Sequence, residues 1–529
     1  MRYCRGLRKL PKQLGSLEAL TELLIDETSI DEIPISKGMK KLEILSANGC
    51  RCLNGIPESV GSLTKLKRLL LADCRALTKL PDSIGQLSSL VELNLERCGV
   101  TRLPRTLGNL DKLEVLAGAC ASMWEVPADL RGLSNLRMER LHLRMVKSTP
   151  ADISRFSHPQ KELSRSKNLW RIDASDNRQL VEIQGLNNLC KRLKTLKIEA
   201  CEKLSQLSGI GELKSLLVLN IRRCTSIERL PYLSKLRRLT SLKIEACEKL
   251  YAFEGLGSES LDKLVIEDCK AIESLPDLSR LQKLRKLEVK ACEKLRQLDG
   301  LEELKSLEKL DIIGCNAIES LPDLSRLQKL RCLKLKACEK VRQLDGLGQL
   351  ESLVKLDVGG CKAIESLPNL SRLQRLRELK TEGCKKLRQL DGLEELKSLE
   401  VLDIRGCKAI ESLPDLSRLQ RLGELKTEGC KKLRQLDGLE ELKELQVLDI
   451  RGCKAIESLP DLSRLQRLRE LKTEGCEKLR QLDGLEELEE LQVLDISGCK
   501  AIESLPDLSR PHILGYCGKR PVVSSSPRK

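Results

Sequence analysis

Aromatic residues are nearly missing from this chain: they make up 2 % of 529 residues. Its core must therefore be packed from leucine and isoleucine. No aromatic residues alternate with basic ones to make the stacking platform that single-stranded nucleic acid uses. Histidine is scarcer still, since His142, His158 and His512 stand far apart. The sequence carries no H-E-x-x-H, no phosphate loop G-x-x-x-x-G-K-(Ser/Thr), no G-x-G-x-x-G and no nucleophile elbow G-x-S-x-G. It has no C-x-x-C pair and no apolar run of the roughly 18 residues that would cross a membrane. The opening residues, Met1 to Gly6, form no apolar signal segment. The net charge is +16, but lysine and arginine are interleaved with aspartate and glutamate throughout. The surface therefore reads as mixed rather than as a basic nucleic-acid footprint. These absences predict no catalytic residues, no cofactor, no metal site, no nucleic-acid partner and no membrane span.

Cysteine, by contrast, is abundant and periodic. From Cys201 to Cys499 fourteen cysteines each follow the last by 23 residues, except Cys269, which follows Cys247 by 22. A fixed period of this size denotes a solenoid of stacked coils. One coil reads Leu304, Leu307, Leu310, Ile312, Cys315, Ile318, Leu321, Pro322. That is the leucine-rich-repeat pattern, closed by Leu-Pro. Leu310 and Ile312 are two apart and point to one side of a short strand; Lys309, Asp311 and Ile313 point to the other, open face. The remaining leucines recur every three residues, too tightly for an α-helix, and fit extended or 3-10 turns. Each cysteine falls in the turn after the strand, where its thiol can act as a weak donor. Thiols spaced one per coil do not pair, and so many free thiols suit a reducing compartment.

The same slot is held upstream by Cys4, Thr28, Cys50, Cys74, Cys98, Cys120, Val146 and Asn177, which gives about 22 repeats. The predicted fold is α/β, a leucine-rich-repeat horseshoe with one long parallel sheet on the concave face and 3-10 or short helical turns on the convex face. Residues 1–145 form irregular repeats, 146–176 an interrupted repeat with a loop insert, 177–510 regular repeats, and 511–529 a disordered Gly/Ser/Pro/basic tail. The regular zone has a second period of 46. Segments 384–429 and 430–475 differ only at Ser398/Glu444, Glu400/Gln446 and Gly423/Arg469. One coil of each pair carries Pro-Asp-Leu-Ser-Arg-Leu-Gln (Pro414 to Gln420), the other Asp-Gly-Leu-Glu-Glu-Leu (Asp437 to Leu442). On the open face Lys380, Asp403, Lys426 and Asp449 alternate, and so do Glu382, Arg405, Glu428 and Arg451. Strands about 4.8 Å apart would then neutralise one another, each pair being worth roughly 0–1 kcal/mol. Such a face suits a scaffold better than a shaped site. The paired glutamates Glu302-Glu303, Glu394-Glu395, Glu440-Glu441 and Glu486-Glu487 repeat with the array and read as solvated surface.

Recognition surfaces favour tryptophan, tyrosine and arginine. Six of the eight aromatics fall between Trp124 and Phe253, around the interruption. Phe253 occupies a leucine slot and reads as core. Trp124 and Tyr251, four after their slots, should face outward, and Trp170 precedes a strand carrying Arg171 and Asp173. Trp124, Trp170, Arg171, Asp173, Tyr232 and Tyr251 form the first candidate partner-binding set; repair of a packing fault would place aromatics there equally well. The second set is the chemically varied N-terminal open face: Ile44, Ser46, Asn48, Arg68, Leu70, Glu92, Asn94 and Glu96. An idle solvated face would also look varied.

The units Cys74-Arg-Ala-Leu-Thr-Lys-Leu-Pro81 and Cys407-Lys-Ala-Ile-Glu-Ser-Leu-Pro414 resemble the repeats of plant intracellular nucleotide-binding leucine-rich-repeat disease-resistance proteins, in the flavour of those with an N-terminal TIR domain. The resemblance covers about residues 1–510. It implies a non-enzymatic recognition module of plant innate immunity in the cytoplasm or nucleus. Its protein partner would be a pathogen effector or a receptor's nucleotide-binding domain. The chain departs from the family in having neither a TIR nor a nucleotide-binding domain. Cys4, Leu7, Leu10 and Pro11 complete a coil with no strand before it, so a fragment is expected. The alternative is a generic intracellular leucine-rich-repeat scaffold that binds a signalling partner.

Overall fold

Strand geometry follows from the inward pair of apolar residues in each coil. In the strand Lys309–Ile313, Leu310 and Ile312 are fully buried while Lys309 and Ile313 remain partly open. The computed structural model describes residues 2–100, 103–117, 140–142, 171–175, 193–253, 255–257 and 259–505, with isolated positions between 178 and 183. Candidates Trp124 and Trp170, most of the 146–176 interval and the 511–529 tail lie outside the described residues. The chain divides into two units, Met1–Ser258 and Glu259–Lys529.

In the first unit five parallel strands pair in chain order: Glu22–Leu24, Ile44–Ser46, Arg68–Leu70, Glu92–Asn94 and Val115–Ala117. Their register stacks Leu23, Leu45, Leu69, Leu93 and Leu116 in one buried row. Five further strands of this unit pair in the same sense: Arg140–His142, Arg171–Asp173, Thr195–Glu199, Val218–Arg222 and Ser241–Glu245. Apart from this ladder, Arg229–Leu230 pairs with Ala252–Phe253 as a two-stranded parallel ribbon. After Leu80-Pro81 and Leu103-Pro104 the segments Asp82–Gln86 and Arg105–Asn109, each carrying an (Ile/Leu)-Gly pair, form 3-10 turns entered from an extended proline. The glycine is needed because these turns stack backbone to backbone: a Cβ on Gly85 would lie 2.2 Å from the carbonyl oxygen of Thr106.

The second unit is more regular. Eleven parallel strands run from Lys263–Glu267 to Val493–Asp495, each paired with the next. The predicted parallel ladder and 3-10 convex layer are therefore present. Among the described residues the ladder strands, leaving out the two-stranded ribbon, number one fewer than the slots, because the Cys4 turn precedes the first strand. No α-helix occurs among the described residues; a leucine every third residue leaves no room for the 3.6-residue turn.

The 46-residue period also acquires a physical cause. The Pro-Asp-Leu-Ser turn and the Asp-Gly-Leu turn are complementary shapes. Asp415 folds back to accept a hydrogen bond from the Ser417 amide (2.8 Å), and the Leu416 amide donates to Asp437 of the following coil (2.9 Å). Gln420 ties both together by donating to the carbonyls of Ser417 (2.5 Å) and Glu441 (3.3 Å). On its other side Arg418 reaches back to Glu395 of the preceding coil (2.5 Å). Gly438 sits against this turn at φ +75°, where a Cβ would meet the Asp415 carboxylate at 2.1 Å and the Ser417 amide at 2.4 Å. Gly438→Ala is expected to cost about 2 kcal/mol, from the left-handed backbone and the contact together. Gly423→Ala, whose Cβ would approach nothing nearer than 3.7 Å, is expected to be neutral or stabilising. Urea unfolding midpoints of the full chain separate the two.

Candidate functional site

The N-terminal open face is built on the first five strands. Alternation leaves Glu22, Ile44, Arg68, Glu92 and Val115 in one register row and Leu24, Ser46, Leu70 and Asn94 in the next. Hydrogen bonds then decide which of these side chains a partner could touch. Asp26 accepts from the Ser46 hydroxyl (2.5 Å) and from the Asn48 amide nitrogen of the backbone (2.9 Å), and Arg2 pairs with its other oxygen (2.7 Å). The Asn48 side chain donates to Ser46 (3.1 Å) and accepts from the Ala72 backbone (2.8 Å). Ser46 is buried beneath this network, so its role is to position Asp26 and Asn48. Arg68 bridges to Glu92 at 2.6 Å, and Asn94 accepts from the Glu96 backbone at 2.9 Å. What remains accessible is a mixed strip: the Arg68–Glu92 pair, Glu96, Val115 and the half-buried Ile44, Leu70 and Asn94.

The first candidate set is divided between two sheets. Arg171 and Asp173 lie on a strand of the main ladder, in register with Thr195 and Lys197. Tyr232 and Tyr251 flank the separate ribbon. Both rings face solvent, at 62 % and 44 % exposure, whereas Phe253 is buried, as the leucine register predicts. The Arg229 guanidinium lies 5.6 Å from the Tyr251 ring centroid, a cation–π contact. The Tyr232 ring rests on Gly255, where a Cβ would come within 2.4 Å of it. A cavity of about 500 Å³ opens beside this ring, lined by Gln206, Glu228, Arg229, Tyr232 and Phe253 among others. The ribbon thus presents two tyrosines and an arginine around a shallow depression, the residue types that dominate binding energy at interfaces.

The open face of the second unit is self-paired, with a geometry other than simple strand-to-strand alternation. The strongest contacts run between residues i and i+2 of one strand. Arg405 grips Asp403 with two bonds (2.9 and 2.7 Å), Arg451 grips Asp449 likewise, and Lys426 pairs with Glu424 at 2.6 Å. Links to the next strand, such as Arg451 to Glu428 at 3.0 Å, join these pairs. Asp403 beside Arg405 raises the guanidinium above its already high ordinary pKa. The convex glutamates are also engaged: Glu395 and Glu441 bind Arg418 and Arg464, and Glu394 and Glu440 each keep one buried oxygen without a hydrogen-bond partner. Among the described residues, no three His, Cys, Asp or Glu side chains are placed to hold a metal ion, and no helix is long and apolar enough to cross a membrane.

The slot cysteines close each coil by donating to a strand carbonyl of the coil before, as Cys361 does to Leu335 (2.9 Å) and Cys430 to Ile404 (3.1 Å). Burial pushes these thiols up, to about 11 for Cys361 and Cys407 and about 12 for Cys338 and Cys476. They are protonated structural groups, not nucleophiles.

Comparison with known proteins agrees with this architecture. Residues 39–156 match the family described as "Leucine-rich repeat region". Over 254 residues, 42 % of this chain, the sequence is 31 % identical to Protein SUPPRESSOR OF npr1-1, CONSTITUTIVE 1 of Arabidopsis thaliana. The match spans only 18 % of that relative's length. Among solved structures, the Arabidopsis receptor kinase HAESA, in complex with a peptide hormone and a co-receptor, aligns over 89 % of this chain and 83 % of its own, at 17 % identity and a TM-score of 0.39. A leucine-rich-repeat protein of Leptospira interrogans aligns over 91 % and 88 %, at 21 % identity and a TM-score of 0.31. At these scores the fold rests on the chain's own strand register and period: it is a leucine-rich-repeat solenoid, a scaffold for protein binding.

Proposed function

We propose that the chain is a non-enzymatic recognition module of plant innate immunity, acting on a protein partner in the cytoplasm or nucleus. The observation that carries a binding role is the contrast between the units. The second unit repeats a charge-neutralised open face almost verbatim. The first carries the varied Arg68–Glu92 strip and the exposed Tyr232–Tyr251 ribbon. The immune assignment is supported by the Cys-x-x-Leu-x-x-Leu-Pro coils and by the likeness to the Arabidopsis relative. The reducing compartment is supported by the column of buried free thiols, of which Cys361 and Cys430 donate to carbonyls of the preceding coil. A pathogen effector or the nucleotide-binding domain of a receptor is the partner this reading names.

The test is co-expression of the full chain in leaf tissue with the nucleotide-binding regions of TIR-type receptors encoded near its gene. Co-purification with one of them, together with a change in the cell death it triggers, is the expected result. Tyr232→Ala/Tyr251→Ala or Arg68→Ala should reduce that association at least several-fold. An unchanged cell-death response and no association would overturn the immune assignment and favour a generic scaffold.

A further inference from the structure

Along the second unit, the residues just before each strand form a rim whose charge follows the 46-residue period. Alternate coils place cations there: Lys283 and Arg285, Lys329 and Arg331, Arg375 and Arg377, Arg467 and Arg469, with Arg421 alone in the coil where Gly423 replaces the second cation. At both ends of the array acids from adjacent coils pair with the arginines. Arg285 pairs with Asp262 at 2.5 Å; Arg467 pairs with Glu444, and Arg469 with Glu490 at 3.0 Å. In the middle the acid between two successive cation pairs is missing. Ser352 stands where the later coils have Glu444 and Glu490, and Val354 stands where the coils on either side have Glu308 and Glu400.

The consequence is an open groove of about 620 Å³ lined by Lys329, Arg331, Arg375 and Arg377 around Ser352 and Val354. All four cations are exposed. Among the described residues Lys329, Arg331 and Arg375 have no ion-pair partner within 4 Å, and Arg377 has only a 3.5 Å contact with Glu400. Glu308 bounds the groove at one end.

We propose that this groove docks a phosphorylated side chain on a protein partner. Arg331 and Arg377 flank Val354 two strands apart, about 10 Å along the ladder, so a group bound above Val354 lies within reach of both forks. A carboxylate offers two oxygens and one charge, enough for a single guanidinium. A phosphate offers three oxygens and nearly two charges, which several forks can share. Arginine rather than lysine dominates the cluster, as planar bidentate recognition requires. The apolar Val354 floor excludes an internal competitor for these donors. The inference rests on the chain being a protein-binding module but not on the immune assignment.

The experiment passes the full chain over immobilised degenerate peptides carrying phosphoserine, phosphothreonine or phosphotyrosine, with unphosphorylated copies alongside. Retention by a phosphorylated subset is expected, lost at least tenfold in Arg331→Glu/Arg377→Glu. Arg467→Glu/Arg469→Glu makes the same charge change at a closed part of the rim and is expected to retain the peptides. Circular dichroism melts of both variants confirm that these exposed substitutions leave the fold intact. Equal loss in both variants would reduce the groove to general charge attraction and overturn the proposal. So would equal retention of unphosphorylated peptides, or displacement of the phosphopeptides by a single-stranded oligonucleotide at the same concentration. Failure here leaves the leaf co-purification result untouched, so the two readings fall separately.

Discussion

Raising the pH from 8 to 10 in the presence of a reductant is expected to unfold the second unit, and the cause is the cysteine column. Seven consecutive slot thiols, Cys338 to Cys476, are fully buried. Burial raises the pKa of each, to about 11 or 12 at Cys338, Cys361, Cys407, Cys453 and Cys476 and upward likewise at Cys384 and Cys430. An unfolded thiol releases its proton near pH 8.5–9. The folded chain therefore holds protons that the unfolded chain gives up. The stability these thiols contribute is complete below that range and falls as the pH climbs towards 11–12. Each costs ~1 kcal/mol between pH 9 and 10. Summed over the seven coils, whose stabilities combine as repeat and neighbour contributions, the loss is about 7 kcal/mol, comparable with the whole stability of a domain. The measurement is the urea midpoint against pH. Replacing Cys361, Cys407 and Cys453 with alanine should lower stability at neutral pH yet flatten the alkaline slope by about one proton per cysteine. Lysine titration is common to all variants, so an unchanged slope in the triple variant would sink the idea. Among the described cysteines of the native chain at pH 8, a thiol reagent should label exposed Cys4 and Cys52 first, with half-buried Cys332 and Cys499 slower.

The period made most of this fold legible. Six residues after the slot is a leucine position, and Phe253 is buried there; four after it is outward, and Tyr251 is exposed. Other features needed the neighbouring coil. Thr381, Thr427 and Thr473 take inward positions that Ile404 and Ile450 hold in alternate coils. All three are fully buried, with their hydroxyls 3.3–3.4 Å from the sulfurs of Cys407, Cys453 and Cys499. Pattern matching reads such threonines as polar and ignores them. Just before the slot the chain turns left-handed in every described regular coil, even where it is not glycine, as at Ala291 (φ +50°) and Ala337 (φ +52°). Gly314, Gly360 and Gly383 at the same slot were the available signal. Within the candidate sets, alternation placed Ser46 on the open face but could not show that Asp26 and Asn48 cover it. The rim groove was hidden for a related reason. Its cations are ordinary in one dimension, and only coil-to-coil adjacency shows that Ser352 withholds the acid that pairs with equivalent arginines at Glu444 and Glu490.

Lys309→Met is expected to cost about 3 kcal/mol at pH 7, a large effect for a residue that is not in the apolar core. In the ladder Glu288 and Asp311 are register partners on adjacent strands, so two carboxylates face each other. Both are buried, at 8 % and 4 % exposure, and one oxygen of Asp311 has no hydrogen-bond partner. Lys309 holds them together, 3.2 Å from Glu288 and 2.8 Å from Asp311. Burial alone would raise the Glu288 pKa, but the ammonium groups of Lys286 and Lys309 outweigh it and bring it down to about 2. That stabilisation is present above the ordinary carboxylate pKa near 4.5 and is lost as the pH falls towards 2. Methionine keeps the apolar stem of the lysine but leaves Asp311 without its ion pair beside Glu288, which retains only Lys286 and Lys290. The folded variant should then bind a proton that the wild type does not, so the gap between them narrows as the pH drops from 7 to 4. Asp311→Asn removes the repulsion while keeping the shape. It should restore most of the loss in the Lys309→Met background and cost little by itself, because half of its carboxylate is already unpartnered. Urea midpoints of the four proteins at pH 7 and pH 4 close the cycle. A penalty that is the same at both pH values, or that Asp311→Asn fails to relieve, would mean that Lys309 matters for packing and not for charge.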